Sequence, residues 1–126
     1  MVALVTLFRF TIYESRFTNH DLRVMTASRI DIFKQMLVSD PINSSILFGL
    51  AKEYEKAGQT AEMIETLKRY LAISDDEGNA HGMLARAYEK TGRLDKARET
   101  YQRGIDAATK HGHPSMAEEY RTILES

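Results

Sequence analysis

Residues 44 to 77 align without a gap on residues 78 to 111 at an offset of 34, and nine of the aligned pairs are identical. They are Leu50 with Leu84, Ala51 with Ala85, Tyr54 with Tyr88, Glu55 with Glu89, Lys56 with Lys90, Gly58 with Gly92, Glu65 with Glu99, Thr66 with Thr100, and Arg69 with Arg103. About two identities would arise by chance, and self-similarity at a fixed period of this size marks units that stack on one another. Such a chain builds its core between neighbours, because one unit cannot bury its own apolar face.

Each unit reads as two helices. Larger apolar residues recur at helical spacing from Ile46 to Tyr54, and the pattern ends at Ala57-Gly58, where glycine can take the left-handed conformation that closes a helix. A second amphipathic segment runs from about Thr60 to Ile73, with Met63, Ile64, Leu67, Tyr70 and Leu71 on one face. The same plan predicts a helix from about Asp76 to Lys90, a turn at Thr91-Gly92, and a helix from Leu94 to about Lys110 carrying Leu94, Ala97, Tyr101, Ile105 and Ala108.

Leu50-Ala51-x-x-Tyr54-x-x-x-Gly58 and Leu84-Ala85-x-x-Tyr88-x-x-x-Gly92, set 34 residues apart, resemble the tetratricopeptide repeat family in its short bacterial form. Ala97 matches the family's small position on the second helix, where Met63 is bulkier, and Leu67 and Tyr101 occupy its aromatic position. Leu47 and His81 replace the large aromatic of the first helix, and the terminal proline is absent at Asp75 and Thr109. That proline stands one period earlier, at Pro41, which extends the register backwards. The resemblance implies an all-α, right-handed solenoid of antiparallel helix pairs, with about two and a half repeats and a C-terminal capping helix. Residues 26–42 are the half unit, with Ile30, Phe33, Met36 and Leu37 on the apolar face of its helix. Residues 44–77 and 78–111 are the full units. After the break at His111-Gly112-His113-Pro114, a helix over 114–125 caps the stack with Met116, Ala117, Tyr120, Ile123 and Leu124.

Residues 1–24 stand apart from the repeat domain at 25–126. They hold four of the eleven aromatics and no lysine, and Leu4 to Tyr13 is rich in β-branched and aromatic residues. Two readings are open: an ordered element packed on the half unit, or an extension upstream of a true start at Met25, disordered or absent from the native protein. The shift in composition at Met25 favours the second.

At 126 residues and 43% hydrophobic content the chain is sized for one domain with a core. Seventeen basic against eighteen acidic residues lack the excess that phosphate-backbone binders need, so a nucleic-acid partner is not expected. No apolar run reaches the roughly 18 residues of a membrane span, and Met1 to Tyr13 lacks the basic start and cleavage site of a secretory signal. The expectation is a soluble, cytoplasmic protein without a membrane partner. The absence of cysteine fits a reducing compartment and removes thiolate metal sites and cysteine nucleophiles.

Catalytic signatures are missing too. The sequence has no Gly-rich phosphate loop, HExxH or GxSxG, so neither an enzyme, a cofactor nor a small-molecule substrate is expected. His111 and His113 lie two apart in a Gly/Pro turn without further evident ligands, and read as a solvated loop rather than a metal site. His81 reads as a half-buried packing histidine. Asp75-Asp76-Glu77 reads as the acidic opening of a helix, complementing its dipole.

What remains is a surface. The family resemblance implies a concave groove lined by the first helices of successive units, which binds peptides or partner helices. Residue by residue, its first wall holds Ser45, Phe48, Gly49, Lys52 and Glu55, and its second Asn79, Gly82, Met83, Arg86 and Glu89. Lys52 and Arg86, one period apart, form a basic row suited to a carboxylate. Phe48 and Met83 add apolar area, and Gly49 and Gly82 leave room for close backbone approach. The asparagine clamp of chaperone-binding members is not reproduced, since Lys52 and Arg86 stand at its position. The implied function is a non-catalytic adaptor for a protein or peptide partner. The alternative is an obligate structural subunit or homodimer, joined through the apolar edge of the half unit at Ile30 and Phe33.

Overall fold

The computed structural model describes residues 18–126, in which six helices follow one another: α1 Asn19–Ser39, α2 Ser44–Ala57, α3 Thr60–Ile73, α4 Asn79–Lys90, α5 Leu94–Lys110 and α6 Pro114–Glu125. Each packs chiefly on the helices next to it in the chain, which makes an all-α solenoid of helix pairs. The corners follow from glycine. Gly58 and Gly92 have φ of 72° and 76°, the left-handed region that side chains with a Cβ disfavour. After each, the next amide reaches back to a tyrosine carbonyl, Gln59 to Tyr54 and Arg93 to Tyr88, both at 2.9 Å. These bonds satisfy carbonyls that the helix end would otherwise leave open.

The start of α4 differs from expectation. Asp76 and Glu77 are not helical; Gly78 at φ 127° interrupts the backbone, and α4 begins at Asn79. Asp76 is buried beneath this turn, where Oδ2 accepts the amides of Gly78 and Ala80, each at 2.9 Å, and Oδ1 accepts the Tyr70 hydroxyl at 3.1 Å. It therefore caps α4 from the side. Asp75 and Glu77 face elsewhere: Asp75 pairs with Lys110 and His111, both at 3.2 Å, and Glu77 with His113 at 2.9 Å. The acidic triplet thus joins the two inter-unit loops, and the Lys110 ammonium, then His111, holds the Asp75 carboxyl below the ordinary carboxylate range.

The interior is shared between units. One apolar cluster runs from Ile30 and Leu37 on α1 through Leu47, Leu50, Ala51 and Tyr54 to Ile64, Leu67, Leu84, Tyr88 and Ala97. A second joins Ala85 to Tyr101, Ile105, Ala108, Ala117 and Tyr120. Leu47 and Leu67 are fully buried, and truncating either to alanine costs about 2–5 kcal/mol. Leu94 is not on the core face of α5; it is 62% exposed, at the helix's first position.

α1 runs through the expected boundary at residues 24/25, and the proposal for the segment before it falls largely on residues 1–17, outside the described residues. Ile30 and Leu37 are buried and Phe33 half-buried against the core, so Ile30 and Phe33 are not its open edge. Met36 is exposed, together with Met25 and Ile32, and this face is the apolar edge. At 100° per residue, Met25, Ile32 and Met36 form one stripe, turned about a third of the circumference from Ile30 and Leu37.

An ion pair enters the α1–α2 contact. Arg29 Nε lies 3.1 Å from Glu53 Oε1, with Lys56 Nζ at 3.6 Å, and the Glu53 side chain is 3% exposed. Its Oε2 has no hydrogen-bond partner among the described residues. One period downstream these two positions are Met63 and Ala87, both buried in the apolar cluster. The first inter-unit contact therefore uses charge where the second uses hydrocarbon.

Candidate protein-binding surface

The positions expected on the first wall belong to α2. Ser45, Lys52 and Glu55 are exposed, as three- and four-residue steps along one helix face require. Phe48 is half-buried: its ring meets Tyr70 at 5.1 Å between centroids, and Lys52 Nζ lies 5.4 Å from its centre. Phe48 thus presents little free surface and instead steadies the Lys52 cation.

On α4, Asn79, Arg86 and Glu89 are exposed while Met83 is buried. Arg86 and Glu89 reach the tyrosines of the following helices. Burial, then a hydrogen bond to Glu89, pushes the Tyr101 hydroxyl well up; burial also raises Tyr120, with the Arg86 guanidinium opposing it. Arg86 and Met83 line a concavity of about 110 Å³ between α2, α3 and α4, together with Glu55, Thr60, Met63 and Lys90. Glu55, Met83 and Arg86 are thus brought into one depression, whereas Ser45, Phe48, Lys52, Asn79 and Glu89 are not part of its lining.

The two glycines of the expected groove serve the chain itself. A Cβ on Gly49 would stand 2.9 Å from the Phe33 ring, and one on Gly82 would strike the Tyr120 hydroxyl. The room that glycine leaves at these places is filled from α1 and α6 rather than left for a partner backbone. Tyr120 was missed as an anchor in the sequence. It lies over both Gly82 and Gly104, where a Cβ on Gly104 would come within 2.9 Å of the ring, and its hydroxyl donates to the Gly78 carbonyl at 2.9 Å. Met116-Ala117-x-x-Tyr120 repeats Leu84-Ala85-x-x-Tyr88 at an offset of 32, so α6 carries the first-helix motif of another unit.

His81 is half-buried, and its Nδ1 has no hydrogen-bond partner among the described residues. Burial lowers its pKa, with the Asp76 carboxylate opposing and Arg103 assisting. Among the described residues no group of three or more His, Cys, Asp or Glu is arranged to hold a metal ion, and no helix is long and apolar enough to cross a membrane.

Residues 56–117, from the end of α2 into α6, match the family model described as tetratricopeptide repeat. The match spans α3, α4 and α5 with the corners at Gly58 and Gly92, while α1 and nearly all of α2 lie before it. Residues 56–117 thus carry tetratricopeptide-type repeat sequence. A crystal structure of MamA is similar in fold at a TM-score of 0.48 and 21% identity, over 75% of this chain and 84% of that chain. No curated protein matches the sequence. Tetratricopeptide repeats generally mediate protein–protein interaction, and proteins of the family are typically non-catalytic scaffolds.

Proposed function

We propose that this protein is an adaptor that binds a peptide or helix of another protein along the face shared by α2 and α4. The observation that carries the reading is the depression in which Glu55, Met83 and Arg86 meet, with the exposed cation of Lys52 one period before Arg86. Arg86 supplies a planar donor fork suited to a carboxylate, and buried Met83 gives the depression an apolar base. Ser45 and Asn79 add polar groups at the first turns of the two helices.

The test is affinity capture from the native host with wild type beside Lys52→Glu/Arg86→Glu. The reading expects a protein held by wild type and lost by the variant, with an unchanged melting curve. A protein retained equally by both would overturn it.

A second reading, an obligate subunit or homodimer, is favoured by one observation: the exposed stripe of Met25, Ile32 and Met36 on α1. Light scattering across a wide concentration range separates the two. A stable monomer supports the adaptor, and a dimer dispersed by Ile32→Lys supports the alternative.

A further inference from the structure

A larger concavity, of about 390 Å³, lies on another side of α4, between α3 and α5. Its base includes Leu71, Leu84 and Tyr88, and its rim carries Lys68, Lys96 and Arg103 against one acid, Glu99. Leu84 and Tyr88 stand roughly 150° around α4 from Met83, Arg86 and Lys90 at 100° per residue, so the two depressions do not share a face. Three cations against one anion is a local positive excess on a chain whose net charge is −1. Arg103 engages Glu99 at 2.8 Å and Lys68 engages Glu65 at 3.5 Å, while Lys96 makes no ion pair among the described residues. Lys96 and Arg103 are two helical turns apart on α5, about 10 Å along its axis.

We infer that this α3–α5 groove is a second docking surface, whose occupant is an acidic protein segment with spaced carboxylates and an intervening apolar residue. Charge complementarity selects the occupant. Carboxylates about 10 Å apart meet Lys96 and Arg103, and the apolar side chain between them rests on Leu71 and Leu84. Glu99 lies between the two cations and Glu65 beside Lys68, which sets the groove against a dense polyanion such as nucleic acid. A chain able to engage one protein on the α2–α4 face and an acidic segment on the α3–α5 face would bridge two partners.

The probe is a fluorescein-labelled peptide of repeated Glu-Glu-Leu, titrated by anisotropy at low salt against the full chain. Wild type should bind it saturably, Lys96→Glu/Arg103→Glu should weaken binding by about tenfold or more, and Lys96→Gln/Arg103→Gln should fall between. Lys52→Glu/Arg86→Glu should leave it within about twofold. Circular dichroism melts confirm folding, and the milder Gln pair keeps the test open should the Glu pair unfold. No saturable binding would overturn the proposal. So would equal binding of a Glu-Glu-Ser peptide, displacement by inorganic phosphate beyond that by chloride of equal ionic strength, or loss in the Lys52/Arg86 variant alone.

Discussion

Tyr120 near the end of the chain donates its hydroxyl to the carbonyl of Gly78, 42 residues upstream, at 2.9 Å. Two glycines on different helices, Gly82 and Gly104, make the slot that lets the ring reach it. This contact locks α6 onto the α4–α5 pair.

Tyr120→Phe removes that buried donor and should cost about 1 kcal/mol. Thermal melting should fall by about 4 °C for a domain of this size. Gly104→Ala, which sets a methyl against the ring, should cost about 1–3 kcal/mol by overpacking. If both variants melt with wild type, α6 is not held by this slot.

Asp76 joins α3 to α4 by accepting from Tyr70 and from the amides of Gly78 and Ala80. Asp76→Ala should cost about 1–2 kcal/mol, as loss of a helix cap does. Asp75→Ala, at an exposed residue in surface ion pairs, should change stability much less than Asp76→Ala does. Urea denaturation of the two variants side by side checks the ranking.

His81 is a source of pH dependence. Burial lowers its pKa below the ordinary 6.5, so the folded chain takes up this proton less readily than the unfolded one. Its contribution is full above pH 6.5 and is lost as pH falls from there through the depressed folded value. His81→Leu, the residue found one period earlier at Leu47, removes both the titration and the unpartnered Nδ1. It should raise stability by about 1 kcal/mol at neutral pH, with a larger gain at about pH 5. Melting curves at the two pH values read both effects.

The Arg29–Glu53 pair offers a test of the repeat logic itself. Arg29→Met alone strands a buried carboxylate and should cost about 2–4 kcal/mol, tempered by Lys56. Arg29→Met/Glu53→Ala installs the residues found one period later at Met63 and Ala87, and should recover most of that loss or exceed wild type. A double variant as unstable as the single one would mean that the two inter-unit contacts are not equivalent.

Period and glycine corners made α2 to α5 legible in the sequence, because both signals are local and repeat at one spacing. α6 was foreseen as a helix but not as a motif-bearing one. Its Met116-Ala117-x-x-Tyr120 sits at an offset of 32, because Met116 lies two residues after the start of α6 whereas Leu84 lies five after the start of α4, and an alignment fixed at 34 passes over it. The roles of Gly49 and Gly82 were misjudged for a different reason. A glycine on a helix face shows that something comes close, and sequence does not tell an internal ring from an external backbone. Asp76 was hidden by its two acidic neighbours, which point to another loop. Lys52, Glu55 and Arg86 are exposed, whereas Met83, expected on the same wall as Arg86, is buried beside Met63 of α3, a contact that no pattern within α4 reveals.

The α2–α4 face as the partner-binding surface is tested most directly by hydrogen exchange on the chain with and without the partner retained in affinity capture. Binding on that face slows exchange in residues 44–57 and 79–90 and leaves α1 unchanged. Slowing confined to α1, around Met25, Ile32 and Met36, would contradict it.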